Sequence, residues 1–162
     1  MSNWKLQCWF VDQVRKQKIM YWSSDGKKVC FGDGYHFYVI PQVTCFLSML
    51  SLENVYPNLK YVNLITSYDK MIFDSNASDT LTSMVKDKGN LRSFEYTDVN
   101  GVRLVYISEN YLKEFGYLKD PERFLVLANS KDGFKNPVRF DGDDFTAVIL
   151  PVRVGGQNES ND

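Results

Sequence analysis

Alternation of apolar and polar positions dominates the first forty residues. In WKLQCWFV (4–11) the side chains Trp4, Leu6, Cys8 and Phe10 share one face of a period-two pattern, which predicts a strand. KIMYW (18–22), KKVCF (27–31) and YHFYVI (35–40) also read as strands, with Asp25-Gly26 and Asp33-Gly34 as hairpin-type turns. The stretch 1–40 is therefore expected to be a strand meander, closed by Pro41. Beyond it, Thr44 stands where a cap would sit for a helix over CFLSMLSL (45–52), whose Phe46, Leu47, Met49 and Leu50 crowd one broad face. Strands are expected again over LKYVNLIT (59–66), KMIFD (70–74), NLRSFEYT (90–97) and VRLVYI (102–107), the last two joined by an Asn100-Gly101 turn.

Ser108 as N-cap, Glu109 in the first turn, and Tyr111, Leu112 and Phe115 at helical spacing predict a second short helix that Gly116 ends. RFLVLAN (123–129), NPVRF (136–140) and FTAVILPVRV (145–154) follow as strands, with DGDD (141–144) as the turn before the last. The tail GGQNESND is polar and Gly-rich, and disorder is expected there. A short helix followed by strands occurs twice, over 44–75 and over 108–154, which amounts to a degenerate internal repeat. Two short helices backed by antiparallel sheet predict an α+β fold. The expected organisation is a β-rich leader (1–40), a main domain (41–154) and a disordered tail (155–162).

The last strand poses a problem of cover. Phe145, Ala147, Ile149 and Pro151 would lie on one face, and Val148, Leu150, Val152 and Val154 on the other, so neither face is polar. Proline breaks a hydrogen-bond ladder, which places such a strand at a sheet edge. Its second face is then covered either by a neighbouring helix or by a docking peptide or partner subunit.

Composition changes this picture little. Of the 162 residues, 44% are hydrophobic, 15% aromatic and 24% charged, the balance of a soluble globular protein long enough for one domain with a real core, or for one domain plus an extra half. A net charge of -1 gives no global attraction to nucleic acid or to an anionic membrane. The N-terminus lacks the basic start and long apolar run of a signal peptide, so the cytoplasm is the default expectation, with no membrane partner. Cys8, Cys30 and Cys45 are an odd set without metal or redox spacing, and each is expected to be a buried, reduced thiol.

The catalytic inventory is thin. His36, the only histidine, has no identifiable base or acid partner and reads as a packed or surface residue. Asp141, Asp143 and Asp144 fall short of a calcium loop and read as a charged turn. FGDGYHF (31–37) lacks the third glycine and following helix of a nucleotide fingerprint. Neither catalytic residues, nor a metal, nor a cofactor is expected. Lys86, Lys88 and Arg92 are candidate phosphate contacts for DNA, against the plainer reading of a solvated turn, because Asp87 and Glu95 interrupt the charge.

The C-terminal half resembles a known family. VNGVRLVYISENYLKEFGYL (99–118) followed by 123–154 is similar to the third domain of the bacterial DNA sliding clamp, the β subunit of the replicative polymerase. Ser108 to Leu112 (SENYL), Asn136-Pro137-Val138 and Leu150-Pro151-Val152-Arg153-Val154 match that domain's helix, Asn/Asp-Pro stretch and closing strand in the same order. FGDGYHF is also similar to a strand and turn of the clamp's middle domain, with Gly32 and His36 departing from the pattern. The resemblance implies a DNA-clamp-like domain and a non-enzymatic role in DNA replication. It implies a hydrophobic groove for clamp-binding peptides of replication or repair proteins, lined by Val148, Leu150, Pro151, Val152 and Arg153 with Phe37 opposite.

A bacterial clamp subunit has three such domains, so encircling double-stranded DNA would here require a homo-oligomer. The helix stretch 108–119 carries only Lys113 and Lys119, and 44–53 carries no basic residue, which favours the alternative of a monomeric adaptor or decoy without encirclement.

Overall fold

Residues 3–15 form a helix, α1 (Asn3–Arg15), where the alternation predicts a strand. The computed structural model describes residues 1–47, 59–61, 63–85, 89–131 and 135–154. The buried positions of α1 are Asn3, Leu6, Gln7, Phe10, Gln13 and Val14, the three-and-four spacing of a helix face. Two glutamines and an asparagine on that face hide its period, and the strand reading of 4–11 is corrected accordingly. The helix stops in a Schellman arrangement: Gln17 takes the left-handed conformation (φ 60°), and the Lys18 N–H donates to the Gln13 carbonyl at 3.1 Å.

The expected meander holds for the rest of the leader. Strands β1 (Met20–Ser24), β2 (Lys28–Gly32) and β3 (His36–Pro41) pair antiparallel in sequence. Both hairpin glycines, Gly26 and Gly34, have positive φ, and the side chains of Asp25 and Asp33 accept backbone N–H groups across the turns.

Thr44 closes a short 3-10 turn (Gln42–Thr44) instead of capping a helix, and its hydroxyl donates to the Pro41 carbonyl. The helix expected over 45–52 is not formed at 45–47 and otherwise lies outside the described residues. The strand expected over 59–66 is split. β4 (Leu59–Tyr61) is strand and pairs parallel with β1, while Leu64–Lys70 is a helix, α2, capped by the Asn63 side chain accepting from the Thr66 N–H. KMIFD is not a strand either: Lys70 ends α2, and residues 71–74 lead into β5 (Ser75–Asn76).

The remaining elements are β6 (Ser78–Val85), β7 (Gly89–Asp98), β8 (Gly101–Ser108), α3 (Glu109–Glu114), β9 (Leu125–Ala128), β10 (Val138–Asp141) and β11 (Thr146–Ile149). Gly116 ends the α3 region in the left-handed conformation, as the sequence predicts. Three α-helices stand among the described residues with one mixed and one antiparallel sheet, so the fold is α+β. No helix among them is long and apolar enough to cross a membrane.

The chain divides into two compact units, one made of 1–71 with 140–148, the other of 72–139 with 149–162. In the first, strand order runs β4-β1-β2-β3-β11, and the second half of β10 flanks β11 on its far side. One sheet face packs on α1, where Phe10 meets Phe31 (ring centroids 5.1 Å) and Trp9 meets Tyr38 (5.5 Å). The other packs on α2, where Tyr68 meets Phe37 (6.2 Å) and the Ile65 N–H donates to the Ser23 hydroxyl. Covered on both faces, β2 and β3 are buried almost throughout, as two-sided strands must be.

In the second unit β6-β7-β8 form an antiparallel sheet and β5 pairs with β9. Phe94, Phe115, Tyr117 and Phe124 make a core of edge and tilted ring contacts between 5.4 and 6.4 Å.

The helix and strands expected over 44–75 fall partly outside the described residues, and the described part holds β4, α2 and the start of β5. In chain order α1-β1-β2-β3 and α3-β9-β10-β11 are each a helix followed by three strands, and the closing strands β3 and β11 are neighbours in the first unit's sheet.

Candidate peptide-binding site

The closing strand is shorter and more central than its sequence predicts. β11 ends at Ile149, and its place between β3 and β10 corrects the expected edge position. Ala147, Val148 and Ile149 are buried, so the strand's two apolar faces are covered within the fold. The proline problem is resolved by position, since Pro151 falls two residues beyond the ladder.

From Leu150 the chain leaves the sheet. Leu150 is 39% exposed, Pro151, Val152 and Val154 are half-buried, and Arg153 is exposed. The Val152 N–H donates to the Tyr106 carbonyl on β8 at 2.8 Å, which fixes the segment to the second unit by its main chain. Leu150, Pro151, Val152 and Arg153 thus form one accessible, largely apolar run. Val148 and Phe37 belong to the first unit and are buried, Phe37 against Tyr68. Tyr106 is the partner that sequence reasoning misses, because a backbone acceptor leaves no signature in residue type.

The candidate phosphate contacts stand differently. Lys86 and Lys88 lie outside the described residues. Arg92 lies between two carboxylates, its Nη1 3.6 Å from Asp79 and its Nη2 3.3 Å from Glu109. The Tyr117 hydroxyl donates to Asp79 at 3.2 Å, and burial together with the Asp79 charge pushes its pKa well up. The network ties β6, β7 and the α3 region together through residues far apart in sequence, so no local pattern announces it. Arg92→Met is expected to destabilise the second unit by about 1–2 kcal/mol, because the guanidinium that stands between the Asp79 and Glu109 carboxylates is lost. Urea unfolding followed by tyrosine fluorescence checks this, and an unchanged midpoint would contradict it.

His36 is buried, with its Nδ1 3.0 Å from the Asp33 carboxylate and its ring beside Trp9 and Tyr38. Burial raises the Asp33 pKa, but the adjacent His36 ring and the hydrogen bonds from the Tyr35 and His36 backbone outweigh it, and the net shift is downward. The pair sits inside the β2–β3 hairpin. In the DGDD turn Asp144 accepts the Asn3 N–H at 3.0 Å and Asp141 accepts the Thr146 hydroxyl at 2.8 Å, so two of its acids are occupied structurally. Among the described residues no three His, Cys, Asp or Glu side chains are grouped to hold a metal ion.

The cysteines divide by position. Cys30 is buried beneath α2, and burial pushes its thiol up to about 12. Cys45 is half-buried and also raised by burial. Cys8 is exposed, a correction that follows from the helix, since only in a strand would it share the face of Leu6 and Phe10. With Ellman's reagent at pH 8, Cys8 is expected to react first, Cys45 more slowly, and Cys30 only after unfolding. Rapid reaction of all three in the native protein would contradict the placement of Cys30.

No protein-family model, curated protein or solved structure matches the chain.

Proposed function

We propose that this protein is a non-enzymatic, sliding-clamp-like interaction module that binds short partner peptides along Leu150–Val154. The observation that carries the reading is the accessible apolar run just after the largely buried strand β11, with Leu150 39% exposed and the main chain held by Tyr106. A preordered apolar strip loses little conformational freedom when a peptide docks on it. The twofold occurrence of a helix and three strands supports the clamp-like part, since clamp domains are themselves built of two such halves.

The adaptor form of this reading, without encirclement of DNA, is the better supported. Arg92 is engaged by Asp79 and Glu109, and α3 carries Glu109 and Glu114 against a single Lys113. Phosphate attraction needs uncompensated Lys and Arg on the facing surface. Fluorescence anisotropy with a labelled clamp-binding peptide tests the proposal. Binding is expected, and Leu150→Asp and Val152→Asp are each expected to weaken it at least tenfold, about 1.4 kcal/mol. Retention on circular DNA is not expected. The proposal fails if the peptide does not bind, or if both variants bind it as the parent does.

A further inference from the structure

We draw no further inference here: the strongest candidate, the exposed aromatic patch where Trp4 on α1 stacks on Phe46 with ring centroids 4.0 Å apart, is an apolar face for which nothing in the structure shows what covers it.

Discussion

Alanine at position 32 is expected to destabilise the first unit by more than about 3 kcal/mol, the range of severe backbone conflicts. Gly32 ends β2 opposite Phe37, and a Cβ built there runs into the His36 carbonyl oxygen and the Phe37 Cα. Those atoms belong to the paired strand itself, so no rotamer change relieves the overlap. Either the β2–β3 ladder opens or the Asp33 turn distorts, and His36, Trp9 and Tyr38 lose their packing with it. Gly26→Ala is the matched control: its Cβ meets nothing within 4 Å, and only the positive φ of 82° is unfavourable. That change is expected to cost about 1 kcal/mol. Urea unfolding of both variants separates the two causes. A Gly32→Ala midpoint no lower than that of Gly26→Ala would refute the steric account.

Phe31→Ala is the second large effect, with an expected loss of about 3–5 kcal/mol. The ring is fully buried at the centre of the α1-facing layer, 5.1 Å from Phe10 and 5.9 Å from Tyr38. Truncation removes both aromatic contacts and leaves a void that neighbours on a paired sheet cannot collapse to fill. Against a total stability of roughly 5–15 kcal/mol for a domain, such a loss would leave the first unit marginal. Phe31→Leu keeps most of the volume and is expected to cost less than about 1.5 kcal/mol. Trp22 lies nearby on the same sheet face, paired across from Phe31, so its fluorescence reports the transition. Equal stability of the Ala and Leu variants would show that position 31 is not packed as described.

What could be read from the chain depended on whether local and tertiary preferences agreed. The β1–β2–β3 meander and the β7–β8 hairpin were legible because Asp-Gly and Asn-Gly turns bracket apolar runs, and Gly26, Gly34 and Gly101 all adopt the positive φ those turns require. The α3 region was legible from its spacing and from Gly116. Helix α1 was not, because Asn3, Gln7 and Gln13 occupy its buried face. Their polarity is satisfied by tertiary bonds: Asn3 donates to the Thr44 hydroxyl at 2.9 Å, and Gln7 donates to the Thr44 carbonyl at 3.0 Å while accepting the Phe46 N–H.

The split of 59–66 into β4 and α2 was hidden by a similar competition. Ile65 and Thr66 are β-branched and strand-like, yet the Asn63 cap and the Ser23 hydroxyl at the Ile65 N–H start a helix there. The interior place of β11 rests on sheet order, which no single segment encodes. For the candidate site, Leu150 to Arg153 were singled out through the resemblance to the clamp's closing strand, with the two-sided apolar pattern of 145–154 beside it. The burial of Val148 and Phe37 and the pairing of Arg92 could not be read in this way, because each depends on residues distant in sequence.

The segment following β11 is proposed as a docking surface for peptides. The most direct test is a titration of the isotope-labelled chain with a clamp-binding peptide, followed by amide chemical-shift changes. Saturable shifts are expected, concentrated at Leu150, Val152, Arg153 and Tyr106, with the buried core of the first unit unmoved. No shifts, or shifts confined to surfaces away from that segment, would contradict it.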